Sequence, residues 1–188
     1  MPRPKNEKSR QAILDTAYIM VMSDGIGRLT IERVAKAAHV GKPTIYREWA
    51  NTSELAMAAI MSQPLHVFKM PAVSGRDGLV QHLKDVIRAF SNTRGRQIML
   101  ALAAIKEEND LTSSFREQVI LGSREIGRRL LEGEMESGNL VQGLVVETVL
   151  DMLYAPIFFR LLTDQNPIRL SIADEVVDTV YSGIGVME

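Results

Sequence analysis

One short segment, Lys42 to Trp49, holds the residue types and spacing best suited to chemistry in this chain. At ~100° per residue along a helix, Ile45 and Trp49 fall on one side. Pro43, Thr44 and Arg47 fall on the other, with Glu48 beside them and Lys42 and Tyr46 at the edges. Small side chains let such a helix approach base edges, Arg47 offers a long paired donor, and the edge groups suit phosphates. The chemistry is hydrogen-bonded readout of a DNA major groove. An ordinary solvated face on a helical hairpin carries the same pattern, and the pattern alone does not choose between them. Bond-making chemistry has less support. His39, His66 and His82 are far apart, with no H-E-x-x-H spacing. Glu107-Glu108 and Glu132, Glu134 and Glu136 are charge clusters of the kind usually solvated, and there is no phosphate-binding Gly loop and no G-x-S-x-G. Without Cys, neither a disulfide framework nor a thiolate metal site is available. We therefore expect no catalytic residue, no metal and no cofactor.

The elements that must position this face lie on either side of it. Thr30 opens a helix to Ala38, its hydroxyl able to cap a backbone N–H. Ile31, Val34, Ala35 and Ala38 form its apolar stripe, with Glu32, Arg33 and Lys36 opposite. His39-Val40-Gly41 interrupts the pattern, and Pro43 is tolerated at the next helix start. Upstream, Gln11 to Ser23 reads as a helix through Ile13, Leu14, Ala17 and Val21, stopped at Asp24-Gly25. Met1 to Arg10 is too polar to pack and reads as flexible, with Arg3, Lys5, Lys8 and Arg10 either reaching phosphates or simply solvated. These helices predict a three-helix unit with Ile31, Val34, Ile45 and Trp49 in its core. Asn51 with Glu54 starts a fourth helix, running to Ser62.

The chain has 188 residues, 46% of them apolar, and a net charge of −1. Residues 1–60 carry nine basic and six acidic side chains, and the remainder 13 and 17. A basic head on an acidic body fits nucleic-acid contact confined to the head. The start of the chain lacks the apolar core of a signal peptide, so a cytoplasmic protein is expected. Pro64, Pro71, Gly75 and Gly78 mark a connector. The expected division is 1–62, a DNA-binding domain with a connecting helix, and 63–188, a helical body.

The body reads as helix throughout, giving an all-α chain. Leu79 to Phe90, Gln97 to Lys106, a long helix from Thr112 or Ser113 to Ser137, Leu144 to Leu162 and Ser171 to Tyr181 carry helical apolar spacing. Leu144 to Leu162 nears membrane-span length, but Glu147, Asp151 and Pro156 argue against one. A helix covered on both sides is the better account.

The segment Gly25, Leu29-Thr30, Val34-Ala35, Ala38, Val40, Pro43-Thr44-Ile45-Tyr46, Trp49 and Leu55 resembles the DNA-binding domain of the TetR (tetracycline-repressor-like) family of one-component bacterial regulators. The resemblance implies a helix-turn-helix with Lys42 to Trp49 as the reading helix. Thr30, Lys42, Pro43, Thr44, Tyr46 and Arg47 are then the expected contacts to double-stranded DNA at a palindromic operator, Thr30 on a phosphate. Three positions depart from the family pattern. His39 stands where Gly is usual in the turn, Gly41 replaces Ser, and Thr52 replaces a phosphate-gripping Lys. Thr52 and Glu48 leave the strength of DNA binding open.

The resemblance further implies a homodimer, paired through the two C-terminal helices. Leu150, Ile157, Val176 and Val180 are the residues expected at that interface, with packing inside one chain as the competing role. It also implies that the fourth helix carries a signal between body and head. Met57, Met61, Met99, Phe115 and Met152 would line a pocket for a small apolar effector, since thioethers adapt to varied shapes; ordinary core packing competes for each. The expected protein is a homodimeric repressor released by an effector. Its alternatives are an all-α carrier or enzyme that binds no DNA, and a regulator that senses a protein partner.

Overall fold

The computed structural model describes residues 4–64, 66–104, 113–114, 116–163 and 168–185. It is helical, and among the described residues there is no strand, only an isolated bridge between Leu140 and Gly185. The helices are α1 (Pro4–Asp24), α2 (Ile31–Ala37), α3 (Lys42–Tyr46), α4 (Thr52–Met61), α5 (Gly75–Ser91), α6 (Thr93–Ala104), α7 (Gly122–Glu136), α8 (Val146–Thr163) and α9 (Ser171–Ile184). A 3-10 turn spans Ile26–Arg28, and a π-helical segment spans Arg116–Leu121.

The chain forms two compact units. The first takes Met1–Leu65 together with Thr93–Phe115, and the second His66–Asn92 with Arg116–Glu188. Thus α6, which a division at residue 62 leaves with the body, packs in the first unit.

In the first unit α1 buries Ile13, Leu14, Ala17 and Val21, the stripe its spacing predicts. Ile31, Val34, Ile45 and Trp49 join them, and α4 buries every residue from Leu55 to Ile60. Two capping expectations hold. Thr30 Oγ1 accepts from Arg33 N at 3.2 Å, and Asn51 Oδ1 accepts from Glu54 N at 2.9 Å. Glu54 in turn accepts from Ala50 N at 2.8 Å, so the start of α4 is held from both sides. One expectation fails: the polar segment before Gln11 is helical from Pro4. Proline costs nothing at a helix start, and Glu7 in the first turn favours the helix dipole.

The second unit buries Leu79, Leu83, Val86, Ile87 and Phe90 of α5 against Leu130 and Leu131 of α7. From α8 come Val149, Leu150, Leu153, Tyr154, Ile157 and Leu161, and from α9 Ile172, Val177 and Val180. Gly78 packs so tightly that a Cβ there would lie 2.5 Å from the Val73 carbonyl oxygen. The expected single helix to Ser137 is broken by the π-helical segment before α7. None of the described helices is long and apolar enough to cross a membrane.

The second unit also contains a buried polar cluster that the sequence spacing did not signal. His82 Nε2 lies 2.9 Å from the Ser123 carbonyl oxygen and 2.7 Å from the Tyr154 hydroxyl, which itself donates to Ser123 O at 2.9 Å. A carbonyl can only accept, so the imidazole proton sits on Nε2. Burial holds the His82 pKa down at about 4 and pushes the Tyr154 phenol up to about 12. Both groups are therefore neutral at pH 7. Phe68 packs edge-on against His82 and Phe158 stacks on Tyr154, with Phe90 between the two phenylalanines.

Candidate nucleic-acid interface

The expected reading surface is built from α2, the turn after it, and α3. Ile31, Val34 and Ala35 anchor α2 in the core. The chain then reverses at His39, whose φ of 54° is left-handed. This is the turn position where a glycine is the usual residue, and His is among the side chains that tolerate it. The Val40 amide closes back onto the Ala35 carbonyl oxygen at 3.0 Å. Gly41 caps α3 without a side-chain bond, and its carbonyl accepts from Thr44 N at 2.9 Å. The helix is shorter than Lys42 to Trp49. Arg47 is its C-cap, and Glu48 and Trp49 continue as a turn, both amides bonding to Ile45 O at 3.0 Å.

This geometry separates two faces as the spacing predicts. Ile45 is fully buried and Trp49 nearly so, while Lys42, Pro43, Tyr46 and Arg47 are exposed and Thr44 is half-buried. Tyr46, at 53% exposure, is a large apolar ring that the unit leaves in solvent. Thr30 is exposed at the start of α2. Its oxygen accepts from Arg33 N, which leaves its own O–H to donate.

Two ion pairs shape the charge of this surface. Lys42 Nζ pairs with Glu32 Oε1 at 2.6 Å across the two helices, raising the Lys42 pKa and lowering that of Glu32. Arg10 Nε pairs with Glu48 Oε2 at 2.9 Å, and its guanidinium lies over the Trp49 ring. Sequence spacing put Glu48 beside the reading face and left Arg10 either reaching a phosphate or solvated; the fold joins them to each other. No pattern in the sequence marks a pairing across 38 residues. Arg33 pairs with Asp24 and donates to Arg28 O at 2.6 Å, so it braces the turn before α2.

The other expected site residues are spread over both units. Met57 is fully buried on α4, Met61 is half-buried there, and Met99 is buried on α6, which packs against α4. Met152 belongs to the second unit and is 51% exposed. Phe115 lies outside the described residues. Leu150 and Ile157 are wholly buried and Val180 is 4% exposed, so these three fill the chain's own core and have little surface for a second copy. The physical reason is rotation along α8. Leu150, Leu153, Tyr154 and Ile157 share the inward stripe, which leaves Met152 and Phe159 on the opposite one. Met152, Pro156 and Phe159 line an open groove of about 660 Å³ with half-buried Val176 and exposed Thr179 of α9.

A short helix with a polar outer face, set by a left-handed turn on a second helix and anchored by Ile45 and Trp49, defines a helix-turn-helix DNA-binding regulator. The model of bacterial regulatory proteins of the tetR family matches residues 13–59, and that of the tetracyclin repressor-like C-terminal domain matches residues 74–180. The chain belongs to the TetR family of transcriptional regulators. It is 27% identical over 183 residues to the uncharacterised HTH-type transcriptional regulator YdeS of Bacillus subtilis, covering 97% of this chain and 92% of that one. Over 56 residues, 30% of each chain, it is 39% identical to the DNA-binding transcriptional repressor TetR of Mycobacteroides abscessus. Its fold is similar to that of the transcriptional regulator FadR from Bacillus subtilis in complex with stearoyl-CoA. That match has a TM-score of 0.62 at 17% identity and covers 93% of this chain and 98% of that one.

Proposed function

We propose that the protein acts as a cytoplasmic homodimeric repressor on a palindromic DNA operator and is released from it by a small apolar effector. The observation that carries the DNA-binding part is the two-faced α3, with Ile45 buried and Lys42, Pro43, Tyr46 and Arg47 exposed. Thr44 and Arg47 read bases, Lys42 and Pro43 sit at the helix start, and Tyr46 and Thr30 take phosphates. The division of labour is a head around residues 1–62 and a body around 63–188, with α4 as the connecting helix.

Homodimerisation is supported by the uncovered stripe of α8. Met152 and Phe159 are exposed apolar side chains beside a groove shared with α9. A helix that reads as apolar all round is covered on one side only within its own chain. A second copy supplies the other cover.

The effector reading rests on the family and on the fold likeness to a regulator solved with stearoyl-CoA. Met57, Met61 and Met99, all in the first unit, are its proposed lining. An effector acts only by preferring the state that does not bind DNA, with a coupling of about 1–3 kcal/mol. Thermal-shift screening of apolar compounds against the purified protein, repeated with selected duplex DNA present, tests it. Reciprocity requires the DNA to weaken binding of the hit by the factor that the hit weakens DNA binding. A hit that stabilises the protein equally with and without DNA contradicts the mechanism.

A further inference from the structure

Helix α6 holds the DNA-binding unit at two backbone sites. Gln97 Oε1 accepts from the amide of Ile26 at 2.8 Å, 71 residues away in sequence. Gly25, beside it, has a φ of 84° and packs against the Gln97 amide group. The turn that follows is braced from the opposite end, where Arg33 of α2 donates to Arg28 O. The 3-10 turn Ile26–Arg28 is therefore suspended between α6 and α2, and its path sets where α2 begins.

The second site is the end of α4. That helix has no basic residue in its own last turn. Arg94 supplies the cation from α6. Its two terminal nitrogens donate to Pro64 O at 2.7 Å, Gln63 O at 3.1 Å and Ile60 O at 3.2 Å. The negative end of the helix dipole, and the carbonyls of Gln63 and Pro64 just beyond it, are both met by one planar guanidinium. Its carbon lies 6.0 Å from the centroid of the Tyr18 ring of α1.

We propose that Gln97 and Arg94 are positioning residues for DNA binding: through them α6 fixes the turn that launches the helix-turn-helix and the end of the helix that follows it. This rests on the DNA-binding reading above. Neither residue touches DNA in the proposed interface, so their loss should weaken binding to all sequences alike.

The experiment compares Gln97→Met, which keeps length and loses the acceptor, with Gln97→Glu, which keeps an acceptor oxygen. Amide exchange at Ile26 and binding to DNA selected by the wild-type protein are read together, with dimer mass and circular dichroism as controls. Gln97→Met should speed Ile26 exchange and weaken DNA binding about threefold to tenfold at every sequence, while Gln97→Glu stays near wild type. Arg94→Lys, which keeps the charge without the planar fork, should speed exchange at Ser62 and Gln63 and weaken binding in the same uniform way. Wild-type exchange at Ile26 in Gln97→Met, or equal loss in Gln97→Glu, overturns the part of Gln97. Unchanged exchange and binding in Arg94→Lys overturns that of Arg94. If the wild-type protein selects no DNA, the DNA reading fails and with it the role in binding, whereas the exchange results still decide whether α6 holds the turn.

Discussion

Arg10 closes an ion pair on Glu48 at 2.9 Å while its guanidinium lies over the ring of Trp49. The pair ties α1 to the turn after α3 and draws the Glu48 carboxylate beside the reading face into a neutral couple. Arg10 is about half exposed, so the pair contributes little. Glu48→Gln should cost roughly 0.2–1 kcal/mol in chemical denaturation. It should leave the sequence preference on DNA unchanged, measured by competition between related duplexes. A changed preference would make Glu48 a base-reading residue.

Gly127 on α7 sits directly beneath Tyr154. A Cβ there would lie 2.7 Å from the Tyr154 hydroxyl oxygen and 3.0 Å from Leu150. Gly127→Ala should destabilise the protein by about 1–3 kcal/mol through overpacking. Adding Tyr154→Phe removes the clashing oxygen, so the double variant should lose less than the two single losses added together. Strict additivity in a denaturation cycle would show that the Tyr154 oxygen is not the source of the Gly127→Ala loss.

His82 gives a pH signature with a fixed sign. Its folded pKa is about 4, against 6.5 for the ordinary imidazole, because burial disfavours the charged form. Above pH 6.5 the ring is neutral in both states and contributes no pH dependence. As pH falls from about 6.5 to about 4, the unfolded chain takes up the proton first and stability declines, by up to about 3 kcal/mol. Below the folded pKa this decline stops. Denaturation across pH 4–7 should show the slope in the wild-type protein and a reduced one in His82→Gln. Equal slopes would place the proton uptake elsewhere.

The proposed dimer face on the exposed stripe of α8 can be tested apart from folding. Phe159 is 68% exposed, whereas Val180 is buried in its own chain at 4%. Phe159→Glu should give a folded monomer by light scattering with an unchanged circular dichroism spectrum. Val180→Asp should unfold the chain, since a charge in the core has no water and no partner. A dimer that survives Phe159→Glu together with Met152→Glu would contradict the α8–α9 interface.

Much of this was legible in the sequence where the information is local. The stripe Ile13, Leu14, Ala17 and Val21, the Thr30 and Asn51 caps, and the split of Ile45 and Trp49 from Pro43 and Arg47 all follow from periodicity and capping chemistry within a few residues. What escaped was set by partners distant in the chain. Leu150 and Ile157 are as apolar as Met152 and Phe159, and only the packed α5, α7 and α9 decide which pair turns inward. Gln97 gives no sign in its own neighbourhood that its oxygen meets Ile26. The π-helical segment Arg116–Leu121 lies inside a stretch whose spacing suits a continuous helix.

If the outer face of α3 reads DNA, selection of bound sequences from random duplexes will show it. Purified wild-type protein and Arg47→Ala are carried through the same selection. The wild type should enrich a two-fold symmetric sequence whose half-sites lie about one helical turn, ~34 Å, or a multiple of it apart. Arg47→Ala should lose preference at one position in each half-site and bind the wild-type sequence about 1–3 kcal/mol more weakly. No enriched sequence, or the same one enriched equally by both proteins, would mean that this face does not read DNA.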